Sequence, residues 1–242
     1  MPDGSSTGIG VSVKRKEDYR FLVGEGNYTD DINRPNQTYS YMLRSSSAHA
    51  NFTLDTKNAS KSKGVVQIFV GTDMEVGSIP CGWQVDSKDG TPMREPAHPP
   101  IAKDKVRYVG EILAVVIAET IEDAKNAAEL IEVNYNDKPV IIDMQDAVDS
   151  SKGLVHDEIE SNICYDWEIG DSEAVDKAMA EAAHITSLDI RNNRLIPNAM
   201  ETRAAIGDYE HATGQYTLYT TSQNPHVIRL LMGAFVLGLP EH

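Results

Sequence analysis

Near the end of the chain, seven mostly polar residues, Thr220-Thr221-Ser222-Gln223-Asn224-Pro225-His226, separate the alternating run QYTLYT from the apolar run VIRLLMGAFVLGL. Their types suit ligand binding better than bond-making chemistry. Asparagine is a favoured helix N-cap, and proline at the first helical position has no N–H to leave unpaired and a φ already helical, so a helix is expected to begin at Asn224-Pro225. The N–H groups of its first turn would carry partial positive charge, which suits an anionic or oxo-bearing ligand. Gln223, just before the cap, adds an amide that can both donate and accept. His226, inside that first turn, is the second candidate for ligand contact. The same residues could simply cap a strand and a helix, and their pattern alone leaves both readings open.

Other chemistry finds less support. The seven histidines show no H-x-x-x-H or related spacing, so a histidine-bound metal is not expected. Only two cysteines occur, Cys81 and Cys164, far apart and without the C-x-x-C spacing of zinc or iron–sulfur sites. There is no G-x-S-x-G elbow, no G-x-G-x-x-G nucleotide signature and no carboxylate pair set in a motif, which leaves a stand-alone hydrolase without a basis. With 22 basic and 37 acidic residues the net charge is −15, spread along the chain, so nucleic acid and anionic membranes are poor partners. No run approaches the roughly 18 apolar residues of a membrane span, and the N-terminus has no apolar leader, so a cytoplasmic protein is expected.

The elements that must position the candidate residues follow an α+β rhythm. The Gly- and Ser-rich start, 1–13, is expected to be a flexible tail. QTYSYMLRS and GVVQIFVG read as strands by their β-branched and aromatic content, and EILAVVIAE is an apolar run whose length suits a buried strand. Between the last two lies a long Gly- and Pro-studded connection, of the kind that more often carries function than idles. TIEDAKNAAELI reads as a helix with acidic residues in its first turn and Ile121, Ala124, Ala128 and Ile131 on one face, its alanines small enough for close packing on a sheet. EVNY resumes a strand, and NDKPVIIDMQDAV reads as a linker.

Further on, SEAVDKAMAEAAH reads as a helix with Ser172 as N-cap and Val175, Ala178, Met179, Ala182 and Ala183 facing a core. HITSLDI reads as a strand. AAIGDYE and QYTLYTT flank the turn HATGQ, where glycine supplies a positive φ, and form the clearest hairpin. The helix after Pro225 is apolar on nearly all sides apart from Arg229, which implies burial in something larger.

The combination NRLIPNAMETRAAIGDYEHATGQYTLYTTSQNPHVIRLLMGAFVLGLPEH resembles the start of the molybdenum-cofactor-binding region of the xanthine dehydrogenase and aldehyde oxidase family, most nearly the large subunit of aerobic carbon monoxide dehydrogenase-type enzymes. Upstream, FLVGEGNYTDDI, MLRSSSAHA, GVVQIFVGTDM and KVRYVGEILAVVIAETIEDAKNAAELIEVNY resemble the α/β hammerhead domain that precedes it. The resemblance implies an α+β chain divided into the hammerhead domain at 14–142, a linker at 143–160 and the beginning of the cofactor-binding domain at 161–242. Ser46 and Ser47 stand where the family pattern has proline and an aromatic or histidine, and Thr202 stands where it has proline in MEPR.

What the resemblance implies about chemistry is oxidation of a small molecule at a molybdenum–pterin cofactor, with oxygen from water. Gln223 matches the glutamine that lies beside the metal and hydrogen-bonds an oxo ligand, and an uncharged amide suits that task. Glu201 and Arg203 match a segment that opens the cofactor region, and we read both as structural. The glycine-rich cofactor loop and the glutamate general base are implied beyond His242, so no catalytic residue is expected within 1–242 and the chain is expected to be the N-terminal part of a longer polypeptide. Iron–sulfur clusters and FAD are implied on partner subunits, an iron–sulfur subunit and an FAD subunit, in a dimer of heterotrimers. A non-catalytic module that binds such a partner is the competing expectation.

Overall fold

In a computed structural model, residues 9, 12, 14–76, 78 and 80–241 are described. The tail expected at 1–13 therefore falls, apart from two positions, outside the described residues. In chain order the helices are α1 (Asp18–Leu22), α2 (Ile121–Glu129), α3 (Met144–Ala147), α4 (Ser172–Glu181) and α5 (Pro225–Leu230). The strands are β1 (Tyr39–Arg44), β2 (Ala50–Asp55), β3 (Val65–Val70), β4 (Lys105–Val106), β5 (Ile112–Ala118), β6 (Glu132–Asp137), β7 (Ala205–Glu210) and β8 (Gln215–Thr220). They fall into two compact units, Met1–Pro35 with Arg194–Gln223, and Asn36–Asn193 with Asn224–His242.

The second unit holds two antiparallel three-stranded sheets, ordered β1-β5-β3 and β4-β2-β6. β5 is central in the first, and it buries Ala114, Val116 and Ala118 on one face and Leu113 on the other. Ala114, Val116 and Ala118 point into a cluster with Ile68, Ile131 and the α2 alanines, while Leu113 joins Ala50, Phe52, Ala102 and Val106 in a second cluster. Leu43, Leu54 and Val133 pack against both.

Helix α2 forms where its alanines predict. Ala124, Ala127 and Ala128 are buried, and a side chain no larger than a methyl lets the helix lie close on the sheet. Thr120 caps it: its Oγ1 accepts from the Asp123 N–H at 3.0 Å and donates to Asp123 Oδ2 at 2.8 Å. β3 ends at Gly71, where a Cβ would stand 2.3 Å from the backbone oxygen of Ala102, so only glycine permits that approach.

Ser45, Ser46 and Ser47 are held by hydrogen bonds. Ser45 Oγ donates to the Ser47 carbonyl at 2.8 Å, Ser47 Oγ donates to Asp137 Oδ1 at 2.7 Å, and the Ser46 N–H reaches the Tyr135 hydroxyl at 3.3 Å. Side-chain hydrogen bonds thus fix this turn.

Three expectations about elements are corrected. Helix α4 begins at Ser172, but its cap is Asp171, whose Oδ1 accepts from the Ala174 N–H at 2.9 Å; Asp171 is the last residue with extended backbone. The stripe Val175, Ala178, Met179 faces solvent, since no residue of α4 is buried. HITSLDI is not a strand, because a strand needs a ladder partner and none meets it among the described residues.

The first unit is built on the β7–β8 hairpin, in register from Ala205↔Thr220 to Glu210↔Gln215. Gly214, at φ +72°, makes the turn as expected. Tyr209 and Tyr216, a facing pair, stack with ring centroids 4.6 Å apart. Arg34 pairs with Asp208 at 2.6 Å and lies 5.9 Å from the Tyr219 ring, tying the N-terminal stretch to the hairpin.

Candidate functional site

The candidate residues follow β8, and the hairpin's far end fixes where β8 stops. Beyond the ladder, Thr221 donates its N–H to the Ala204 carbonyl at 3.2 Å, and its Oγ1 accepts from the Ala204 N–H at 3.0 Å. Thr220 Oγ1 donates to the same Ala204 carbonyl at 3.1 Å. Two hydroxyls thus replace the next rung of the ladder, so the chain leaves the hairpin at a defined point, and Ser222 and Gln223 follow, both exposed.

Gln223 is the last residue of the first unit, while His226 belongs to the second. Each is exposed within its own unit. Helix α5 starts as expected: Pro225 occupies the first helical position, and Asn224 Oδ1 accepts from the Val227 N–H at 3.4 Å. That bond satisfies one of the first-turn donors, so fewer remain for any ligand than the sequence suggests.

The helix then widens. Leu231–Leu237 is a π-helix that ends at Gly238, in the left-handed region at φ +62°. Wide turns of this kind recur beside functional sites because they rotate the side chains that follow. The burial expected for this apolar run is in something larger, and among the described residues the run stays largely open: Gly233 is buried, while Val227, Leu230, Phe235 and Leu237 are exposed. The apolar character of the helix is therefore not explained by packing within its own unit.

Glu201 is structural, but not through Arg203. Its Oε1 accepts from the backbone N–H of Thr29 at 3.0 Å. Arg203 is exposed and makes no hydrogen bond or ion pair among the described residues.

Electrostatically the junction is neutral ground. From Thr220 to Val227 there is no carboxylate, in a chain of net charge −15. The available groups are hydroxyls, amides and one imidazole, which suit hydrogen bonding to oxygen atoms of an anionic group. Among the described residues no group of three or more His, Cys, Asp or Glu lies together as a metal cage would need. A metal carried by an organic cofactor and approached by an uncharged amide fits this donor set.

Comparison with known proteins assigns the two regions. Residues 23–139 match the a/b hammerhead domain of aldehyde oxidase and xanthine dehydrogenase, and residues 155–242 match the molybdopterin cofactor-binding domain. The chain belongs to the aldehyde oxidase and xanthine dehydrogenase family. Among its relatives, the carbon monoxide dehydrogenase large chain of Afipia carboxidovorans is 31% identical over 97% of this chain and 30% of its own length. The nicotine 6-hydroxylase large subunit of Paenarthrobacter nicotinovorans is 31% identical over 96% of this chain and 28% of its own length. The crystal structure of quinoline 2-oxidoreductase from Pseudomonas putida 86 superposes with a TM-score of 0.82 at 29% identity, over 96% of this chain and 29% of that one. The chain thus spans 30% and 28% of the lengths of these two curated relatives.

The structure brings out elements that the sequence reading missed. Strands β2 and β4, absent from the reading by propensity, supply Ala50, Phe52 and Val106 to the hammerhead core. Their signal is the alternation of buried and exposed positions along ANFTLD, weakened by an alanine and an asparagine that favour strands poorly.

Proposed function

We propose that this chain serves as part of the molybdopterin-binding large subunit of a molybdenum hydroxylase, oxidising a small molecule with oxygen from water and passing electrons to iron–sulfur and FAD carriers on partner subunits in the cytoplasm. The observation that carries this reading is the position of Gln223 within the stretch matched to the molybdopterin domain, at a junction free of carboxylates. When bound, the cofactor would supply the two-electron redox chemistry.

The residues of this chain have narrower tasks. The Gln223 amide would donate a hydrogen bond to the cofactor and, being uncharged, would add no strong field there. Thr220 and Thr221 hold the backbone from which Gln223 projects. His226 is the second contact. We place the hammerhead domain at 14–142 and the start of the cofactor-binding domain at 161–242, with a linker between.

For the substrate, carbon monoxide and an N-heterocycle both have support, since relatives named for carbon monoxide and for nicotine are each 31% identical. Aldehydes and purines are the wider alternatives. The test is Gln223→Ala in the assembled complex, with molybdenum quantified by mass spectrometry beside turnover of carbon monoxide and of nicotine. Normal molybdenum with at least tenfold slower turnover is expected, because one lost hydrogen-bond donor at a reacting centre costs about that much or more. Wild-type turnover at normal metal content would remove Gln223 from the site, and a purified complex without molybdenum would overturn the enzyme reading.

A further inference from the structure

Both tryptophans of the chain, Trp83 and Trp167, line one cleft of about 480 Å³ in the second unit. Trp83 lies in the long connection between β3 and β4, and Trp167 in the stretch before α4. Gln84, Val85, Asp86 and Tyr165 complete the walls. The volume falls in the range of small-molecule sites, about 300–1,000 Å³.

Backbone hydrogen bonds hold the two segments together. In the connection the Met93 N–H donates to the Val85 carbonyl at 3.1 Å and the Ser87 N–H to the Thr91 carbonyl at 2.8 Å, closing a turn. Against that turn lies the second segment: the Lys88 N–H donates to the Asp166 carbonyl at 2.7 Å, the Arg94 N–H to the Cys164 carbonyl at 2.9 Å, and the Asp166 N–H to Ser87 Oγ at 3.1 Å. The cleft is therefore formed in advance of any ligand.

Its aromatic side chains are left open. Trp83 is 80% exposed, and Tyr165 and Trp167 are also exposed. Large apolar surface gathered in one place marks a surface that meets something. Charge decides what. Ring faces carry negative potential, and the single charged side chain in the walls is a carboxylate, Asp86, which makes no ion pair or hydrogen bond among the described residues. The neighbouring cations are engaged elsewhere: Lys88 Nζ pairs with Asp166 at 2.9 Å, and Arg94 Nη1 donates to the Ile163 carbonyl at 3.2 Å. Rings and carboxylate thus favour a cation and oppose an anion.

The walls also narrow the cation. One carboxylate and one amide supply too few oxygens for a hard metal ion. A primary ammonium is compact and strongly hydrated, and rings do not replace its water. An alkylated ammonium spreads its charge over methyl groups, which suit indole and phenol rings and the Val85 side chain.

We propose that this cleft binds a small quaternary ammonium compound, its cationic head among the rings of Trp83, Tyr165 and Trp167 and its charge met by Asp86. The proposal rests on residues 83–86 and 165–167 alone and stands independently of the function proposed above.

Isothermal titration of the native protein, in whatever complex it purifies, with choline chloride tests it. Saturable binding is expected, at least threefold tighter than that of the uncharged carbon isostere of choline, in which a tert-butyl group replaces trimethylammonium. Trp83→Leu and Trp167→Leu should each weaken choline at least threefold, and Asp86→Asn should weaken it and flatten its dependence on salt. Circular dichroism checks that each variant is folded. If Trp167→Leu does not fold, Trp83→Leu, at a far more exposed position, and the comparison with the isostere still decide. Absence of saturable choline binding, equal binding of the isostere, or choline binding unaltered in Trp83→Leu and Asp86→Asn each overturns the proposal.

Discussion

The backbone N–H of Thr29 donates to the Glu201 carboxylate at 3.0 Å, joining residues 172 positions apart within one unit. Thr29 is buried in a short 3-10 turn, where a backbone donor has no water to fall back on. Removing the acceptor strands it. Glu201→Ala is expected to lower unfolding free energy by about 1–3 kcal/mol and Glu201→Gln, which keeps an oxygen, by about 1 kcal/mol or less. Urea denaturation checks both, and equal losses would mean that the carboxylate's charge, not its oxygen, matters.

Lys105 is 5% exposed, yet its partner Asp157 is 68% exposed. The buried ammonium therefore reaches outward to a solvated carboxylate, with Lys138 a second cation 3.8 Å from the same Asp157. Asp157→Asn is expected to destabilise by about 1–2 kcal/mol, less than a fully buried pair because solvent screens the carboxylate. The Lys105 hydrogen bond holds the Asp157 carboxyl below its ordinary value of 3.8, against the opposing effect of burial. A depressed carboxyl contributes stability above its unfolded value and loses it as pH falls through the folded one. The gap between wild type and Asp157→Asn should accordingly be constant near neutrality and close below about pH 4. Unfolding measured from pH 7 to pH 2.5 would reveal it, and a gap that persists at the acid end would exclude the ion pair as its cause.

Much of this fold is legible in the chain where one element carries its own reason to form. β5 announces itself by an apolar run too short for a helix, α2 by alanines on one face behind an acidic first turn, β7–β8 by alternation around a glycine turn, and α5 by Asn224-Pro225. What fails is what depends on another segment. Ile185, Leu188 and Ile190 have strand-like side chains, but pairing belongs to two segments and here only one is present among the described residues. At α4 two adjacent residues can both cap, and the backbone of Asp171 decides between them. At the candidate junction the helix start at Asn224-Pro225 follows from residue chemistry, while the role proposed for Gln223 comes from the family resemblance.

Gly71 offers a sharper test of packing. A methyl there would meet the Ala102 carbonyl oxygen at 2.3 Å and its carbon at 2.7 Å, both backbone atoms that cannot rotate away. Gly71→Ala is expected to destabilise by about 1–3 kcal/mol through displacement of the segment that carries Ala102, whose N–H bonds the Ile112 carbonyl at 2.8 Å. Gly82→Ala, where a methyl meets nothing within 4 Å, is the control and should change stability little. Thermal unfolding of the two variants separates steric displacement from a general loss of glycine.

Thr221 links the fold to the proposed site. Its Oγ1 accepts the Ala204 N–H at 3.0 Å and has the Ala204 and Thr202 carbonyls at 3.3 and 3.4 Å as acceptors, two residues before Gln223. Thr221→Val keeps the shape and removes the hydroxyl, leaving the Ala204 donor without its partner, at an expected cost of about 1–2 kcal/mol. Thr221→Ser retains the oxygen and should recover most of it. If this hydroxyl positions Gln223, the assembled complex carrying Thr221→Val should lose turnover with unchanged molybdenum content, and Thr221→Ser should restore it. A purely structural threonine would instead lower stability in Thr221→Val while the folded fraction turned over at the wild-type rate. Turnover per bound molybdenum, measured below the melting range of the variant, distinguishes the two.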